Sequence, residues 1–350
     1  MESEIPTAGL LGQIPFPAFV AKKQKICQVN AEAAQLQLEP GQELAPLLHC
    51  NLQAYNAFQD GSMYMAMIIA DRSFGVTVTR EQDVDLFVID SETPIRLQAL
   101  ALAAKELRRP FSEMFFASER IRQSNALQAD IQAAYTKNTL RMRRALANMA
   151  DASAFSKGEG MHSTTTDLSK VFRETYEKTA ALIGEQGPKL SYSGPSQPVI
   201  TIADPQLLQR AAYNLLSNAI KFTPKSGTVD VQVTQHSNML QFTVQDGGVG
   251  VAPAVQGSFF TRYQRAPGIE EGRQGMGLGM LIVRSIALMH DGTVLLQQSP
   301  DRGAKVSFTV ALRTVPAGQL FSHPLMVGYA GGKDPALLEL SDALPLSAFE

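Results

Sequence analysis

Three separated polar stretches between Asn214 and Gly279 hold the residue types that handle phosphates and a divalent cation. The first is NLLSNAIKFTP, residues 214–224. At 100° per residue, Asn214, Asn218 and Lys221 share a helical stripe roughly 60° wide, beside an apolar face of Leu208, Ala211, Leu215 and Ala219. An Asn carbonyl is a neutral, hard oxygen ligand suited to Mg2+, and a lysine adds a point charge for phosphates. The second stretch, DGGVG at 246–250, follows the alternating run MLQFTVQ directly. Asp246 at a strand end can accept from an exocyclic amine, and Gly247, Gly248 and Gly250 let backbone approach a flat ring. The third, GMGLGM at 275–280, opens the apolar run LIVRSIALMH. Glycines at a helix start leave amide groups bare for anions. Taken singly, an Asn pair is also what a solvated helix face carries, and a glycine cluster is also what a turn carries.

Their order removes that ambiguity, because helix, hairpin, acidic glycine turn, polar loop and glycine-led helix follow one another without gaps. From about Asp204 to Leu312 the chain resembles the ATP-binding domain of sensor histidine kinases, in the superfamily that also holds gyrase, Hsp90 and MutL. FFTRYQR at 259–265 is similar to that family's phenylalanine box, and HDGTVLLQQSPDRGAKVSFTVAL is similar to its closing hairpin. The resemblance implies ATP and Mg2+ as ligands, with the metal on Asn218 and the adenine amine on Asp246. It sets the adenine plane against Gly248 and Gly250 and surrounds the phosphates with Lys221, Arg265, Gly275, Gly277 and Gly279. Asn214, Phe222 and Leu278 complete the expected lining. Ala304 stands near where many relatives have Thr or Ser, so one water-mediated adenine contact is expected to be missing.

The elements that must hold these residues read as an α/β sandwich of two layers over residues 165–313. Strands are expected at 189–193 and 199–203, a helix from Pro205 and a hairpin at 228–245. Asp204 before Pro205 is a helix-start signature. Hairpins without crossovers imply a mostly antiparallel sheet with helices on one face. The loop from Arg265 to Gln274 is polar enough to serve as a nucleotide lid. GEGMHSTTT, around His162, reads as linker, and His290 reads as a helix cap.

Upstream, residues 92–155 change to long helix. Leu97, Leu100, Ala104, Leu107, Phe111, Met114, Ser118 and Ile121 are spaced by three and four, and Ile131, Tyr135, Met142, Leu146 and Met149 repeat the pattern. Two such helices form a hairpin that cannot bury its stripes alone, so a homodimer built as a four-helix bundle is expected. AKELRRPF at 104–111 resembles the histidine box of the family, with Glu106, Leu107, Arg108 and Pro110 in place and Lys105 where the phosphate-accepting His belongs. An imidazole nitrogen is a neutral nucleophile near pH 7, whereas a lysine with a pKa of about 10.4 is almost wholly protonated. Arg109 stands where relatives that dephosphorylate their partner carry a water-orienting Thr or Asn. The family activity is protein-histidine kinase phosphotransfer, for which Glu106 would be a catalytic residue. Here autophosphorylation at the usual site is not expected.

Residues 9–91 alternate short strand and helix signals, an α+β unit of sensor size. IPFPAFVAKKQKICQVNAEAAQLQLEPGQEL resembles a PAS domain, in which a hairpin ends in Asn and leads into an alanine-bearing helix. The whole is thus an α+β multidomain protein: a PAS-like sensor unit, a dimerisation hairpin, the ATP-binding domain and a segment at 314–350 with no assigned role.

A formal net charge of −2 gives no basic field for nucleic acid, and 45% hydrophobic content suffices for buried cores. The longest apolar runs, such as MAMIIA, fall short of the 18 or so residues that span a bilayer. The N-terminus shows no secretion signal, so a cytoplasmic location is expected. Cys27 and Cys50 make neither a disulfide framework nor a four-ligand metal site. The resemblance implies an atypical or pseudo-kinase of two-component signalling whose partners are a response regulator or another kinase. The competing readings are an ATP hydrolase of the gyrase and Hsp90 kind and an ATP-gated interaction scaffold. The hydrolases activate water with a Glu where this chain has Asn214, which cannot act as a base.

Overall fold

Asn30 shows how local chemistry sets the first unit. Its Oδ1 accepts from Ala33 N–H at 2.9 Å and from Ala18 N–H at 3.0 Å, so one side chain caps a helix and fixes a strand end. In this computed structural model the described residues are 11–81, 83–90, 107, 110, 111, 113, 114, 116, 129–155, 160–251, 278–298, 303–315 and 334–349. The first unit comprises β1 (Ala18–Lys22), β2 (Lys25–Val29), α1 (Ala31–Ala34), α2 (Ala45–Leu48), α3 (Leu52–Ala57), β3 (Gly61–Ile69), β4 (Arg72–Glu81) and β5 (Val84–Ile89). Its strands lie in the order β2-β1-β5-β4-β3, all antiparallel. The core holds the stacked rings of Phe19 and Phe87 with Met63, Met65 and Met67 of β3. Beside it Arg80 makes two hydrogen bonds to Asp85, at 2.6 and 2.7 Å, and Tyr55 donates to the same carboxylate.

The second unit follows α4 (Ala129–Phe155) and contains β6 (Thr164–Asp167), α5 (Leu168–Ile183), β7 (Lys189–Ser193), β8 (Ile200–Ala203), α6 (Pro205–Phe222), β9 (Thr228–His236), β10 (Met239–Asp246), α7 (Leu278–Met289), β11 (Val294–Gln298) and β12 (Ala304–Ala311). Period-2 alternation sends Val229, Val231 and Val233 of β9, Leu240, Phe242 and Val244 of β10, and Phe308 and Val310 of β12 into one core with α5, α6 and α7. Phe172 of α5 seals it, with ring centroids 4.8 Å from Phe242 and 5.9 Å from Phe308. The sheet is antiparallel except where β7 runs parallel to β9. Two expectations need correction. The stretch read as linker contributes Thr164, Thr165 and Thr166 to β6, and the strand at 199–203 pairs with β6 in a separate two-stranded sheet, where Asp167 Oδ1 also accepts from Val199 N–H at 3.0 Å.

The two units share one ten-stranded sheet, joined where β3 pairs antiparallel with β11 through Tyr64 and Val294, Met63 and Leu295, and Ser62 and Leu296. Successive residues of β3 therefore enter different cores: Met63 packs in the first unit, Tyr64 in the second. Gly61 permits this junction, since a Cβ there would lie 2.2 Å from the Leu296 carbonyl oxygen and its φ is +92°.

Helix α4 is two-sided. Ile131, Ala133, Leu140 and Ala145 are buried, while Tyr135 and Leu146 of the expected seam are 41% and 52% exposed. Described residues of the preceding segment, Leu107, Pro110, Phe111, Glu113, Met114 and Phe116, are helical, and Glu113 lies 3.5 Å from Arg141 of α4. Lys105, Glu106 and Arg109 lie outside the described residues. Residues 334–349 of the C-terminal segment are packed: α8 (Pro335–Glu339) and the 3₁₀ turn Leu346–Phe349 lie on α4, α5 and α6, with Leu338, Leu340 and Leu344 buried in the second core.

Candidate functional site

Helix α6 starts firmly. Asp204 Oδ1 accepts from Gln206 and Leu207 N–H at 3.0 and 3.1 Å, and Pro205 fills the first turn. Buried His290, at the end of α7, accepts from Asp204 N–H through Nε2 at 3.1 Å, and its Nδ1 meets the Ile286 carbonyl at 2.8 Å. The imidazole is thus used as a neutral tautomer, and burial pushes its pKa below the usual range. At the other end of α6, Thr223 Oγ1 donates to the Ala219 carbonyl at 2.6 Å and closes the helix.

Between these ends, α6 touches both described glycine motifs. A Cβ on Gly248 would lie 2.6 Å from the Phe222 carbonyl oxygen, and one on Gly279 would lie 2.8 Å from Asn214 Oδ1. Both glycines are there because α6 leaves no room for a side chain. Gly250 is required for a different reason, its φ of +71°.

Asp246, at the end of β10, holds the turn that follows it. Its Oδ1 accepts from Gly248 N–H at 2.9 Å and from Ala304 N–H at 3.2 Å, and Gly247 N–H donates to the Thr228 carbonyl at 3.0 Å. Among the described residues, Oδ2 has no hydrogen-bond donor. Burial raises the Asp246 pKa, and the two backbone donors work against that rise.

The stripe Asn214, Asn218, Lys221 forms on α6 as expected, but its members differ in environment. Asn218 is half-buried, and among the described residues its amide makes no hydrogen bond. Lys221 lies 5.5 Å from the centroid of the Phe222 ring and in the field of Asp342. Asn214 is buried and fully engaged: Oδ1 accepts from Arg144 Nη2 at 2.9 Å, and Nδ2 donates to the Arg210 carbonyl at 2.9 Å and to Glu339 Oε2 at 3.3 Å. Its amide therefore turns into the protein. Leu278 is fully buried, which leaves only its backbone to face a ligand. Arg265, Gly275 and Gly277 lie outside the described residues. Ala304 reaches Asp246 through its backbone N–H, which needs no hydroxyl.

Sequence reasoning missed the arginine and carboxylate group beneath the site. Glu339 and Asp342 follow an Asp-Pro pair at Asp334 and Pro335, the same helix-start signature that marks Asp204 and Pro205. Asp334 Oδ1 does cap α8, accepting from Ala336 N–H at 2.9 Å.

Residues 203–314 match the model of the histidine kinase-, DNA gyrase B- and HSP90-like ATPases. The chain is 34% identical over 114 residues to the histidine protein kinase DivJ of Caulobacter vibrioides, covering 33% of this chain and 19% of that protein. It is 30% identical over 211 residues to the sensor histidine kinase CusS of Escherichia coli O6:H1, covering 58% and 42%. The chain thus spans less than half the length of either relative. A solved histidine kinase, AdeS of Acinetobacter baumannii, superposes with a TM-score of 0.48 at 14% identity over 60% of this chain and 98% of that one. Among the described residues, no helix is long and apolar enough to cross a membrane.

Proposed function

On the premise that this chain is a relative of sensor histidine kinases carrying their type of ATPase domain, we propose that it binds Mg-ATP at the face of α6 and acts in two-component signalling without a conventional acceptor histidine. The observation that carries this reading is the meeting of the glycine turns with one helix, Phe222 against Gly248 and Asn214 against Gly279. Asn218 holds the cation, Asp246 Oδ2 receives the adenine amine, and Lys221 offers charge to the phosphates. The bound metal would neutralise phosphate charge and orient the chain of phosphates. Arg265, Gly275 and Gly277 belong to the same site by their place in the family motifs.

Lys105 cannot take a phosphoryl group as a neutral imidazole does, so ATP acts on this protein as a conformational ligand, or as phosphate source for an unconventional acceptor, and not as donor to residue 105. The first unit is a sensor, and its strand order β2-β1-β5-β4-β3 supports a PAS-like reading. The exposed Tyr135 and Leu146 favour a second copy as the partner of α4, making a homodimer. A response regulator or partner kinase completes the signalling path, with the ATPase domain on the cytoplasmic side, where ATP is.

Titration of the protein with ATP, with and without Mg2+, followed by transfer assays with γ-labelled ATP, tests the reading. Metal-dependent binding and no acid-labile phosphate are expected, and Lys105→His should gain labelling. Acid-labile phosphate on the unmodified protein, or no nucleotide binding, would overturn it.

A further inference from the structure

Below the nucleotide face lies a buried ionic group that nothing in the ATP chemistry requires. Arg141 and Arg144 of α4 and Arg210 of α6 face Asp151 of α4 and Glu339 and Asp342 of the C-terminal segment. Arg144 is the hub. Its Nε donates to Glu339 Oε2 at 3.2 Å, Nη1 to Asp342 Oδ2 at 3.1 Å and Ser217 Oγ at 3.4 Å, and Nη2 to Asn214 Oδ1 at 2.9 Å. Arg210 lies with Nε 2.9 Å from Glu339 Oε1, donates through Nη2 to Asn148 Oδ1 at 2.7 Å, and pairs with Asp151. The Glu339 side chain is only 1% exposed: Oε2 accepts from Arg144 and Asn214, while Oε1 is matched by Arg210 Nε at ion-pair distance but outside hydrogen-bond geometry, so the buried charge depends on these two arginines.

Three elements distant in sequence therefore converge on one amide. Asn214 receives Arg144 from α4 and donates to Glu339 from the C-terminal segment, while its Oδ1 occupies the space that a Cβ on Gly279 would need. Gly279 lies in the first turn of α7, so the amide sets how closely that turn approaches α6. Asp342 carries the same network to Lys221: burial alone would raise its pKa, but Arg144, Arg141 and Lys221 together hold it below the usual carboxylate range.

We propose that Glu339 and Arg144 are positioning residues for the phosphate end of the nucleotide site: they fix Asn214, and through it the seating of α7 on α6. The C-terminal segment is then a working part of the site. This inference rests on the nucleotide reading above. It predicts a specific asymmetry, because the Asp246 turn is held by the backbone N–H groups of Gly248 and Ala304 and by the Phe222 carbonyl against Gly248, and none of these contacts involves Arg144, Asn214 or Glu339.

The test uses the full chain and Glu339→Gln, which keeps the shape and removes the charge. Binding of Mg-ATP and of adenosine is measured by displacement of a fluorescent ATP analogue, at a temperature where circular dichroism shows both proteins folded. Mg-ATP affinity is expected to fall at least 10-fold while adenosine affinity stays within 2-fold. If Glu339→Gln does not fold, Arg144→Lys takes its place, since lysine keeps the charge but lacks the fork that reaches Asn214, Glu339 and Asp342 together. A lower Tm with unchanged Mg-ATP affinity, or an equal loss for both ligands, would overturn the positioning role and leave the nucleotide reading standing. Failure of the unmodified protein to bind Mg-ATP would overturn both.

Discussion

Arg284 of α7 lies 2.9 Å from Asp90 Oδ2, just beyond β5, and its guanidinium stacks 4.7 Å from the centroid of the Tyr64 ring. Tyr64 donates to the same Asp90 oxygen at 2.7 Å. The first unit is thereby tied to the helix that opens with the third glycine motif. Both partners are largely shielded, at 5% and 16% exposure, so the pair is a tether and not a solvated surface bridge. Asp90→Ala takes the carboxylate from a buried guanidinium and should cost about 3 to 5 kcal/mol. Arg284→Met, which keeps much of the packing, should cost less. Urea unfolding of the two variants checks the order; equal losses would show that packing, and not charge, holds the joint.

The second link between the units is backbone. Gly61→Ala places a Cβ against the Leu296 carbonyl oxygen in a region of positive φ, and should destabilise the β3 and β11 pairing by about 2 to 3 kcal/mol. Amide exchange at Leu296 should accelerate while exchange in the β9 and β10 hairpin is unchanged. Uniform protection would mean that the ten-stranded sheet does not depend on this glycine.

Most of the second unit was legible because its signals are local. Asp204 before Pro205 marks the start of α6, and the alternation of MLQFTVQ marks β10 within the hairpin expected at 228–245, whereas β11 and β12 are expected from their resemblance to the closing hairpin of the family. Gly247, Gly248 and Gly250 read as letting backbone approach a flat ring; the Phe222 carbonyl against Gly248 and the positive φ of Gly250 are separate needs for glycine that the sequence does not announce. The joining of two sheets was not legible, since pairing of β3 with β11 depends on residues more than two hundred positions apart, and each strand reads the same at an edge or inside a sheet. The true setting of Asn214 was hidden for a similar reason. Helical periodicity placed it beside Asn218 and Lys221, but only tertiary structure brings Arg144 and Glu339 onto its amide.

His290 gives a pH dependence with a definite sign. Burial lowers its folded pKa below the ordinary value of about 6.5, and Nε2 serves Asp204 N–H only when unprotonated. The unfolded chain then binds the proton more readily. The stability that His290 contributes is fully present above about pH 6.5 and declines as pH falls from there toward the folded pKa. Thermal unfolding across pH 5 to 8 should show this decline, and His290→Gln should flatten it. A Tm that rises on acidification through this range in the unmodified protein, but not in the variant, would reverse the assignment.

Asp246→Asn tests the adenine end directly. In the native turn, Oδ1 is occupied by the N–H groups of Gly248 and Ala304, and Oδ2 is the oxygen assigned to the incoming amine. Asparagine can keep its carbonyl toward the two backbone donors, so the turn should survive with a Tm near that of the parent. Its NH2 then stands where Oδ2 stood and presents a donor to a donor. Loss of a hydrogen bond to a charged acceptor is worth about 1.5 to 3 kcal/mol, roughly 10- to 150-fold in Kd. The raised pKa of Asp246 adds a second signature. Protonation removes the acceptor, so ATP affinity of the parent should weaken as pH falls toward that pKa, while the Asn variant stays weak and flat throughout. Calorimetric titrations at several pH values distinguish the cases: parent affinity in Asp246→Asn with an intact turn would move the adenine elsewhere on α6.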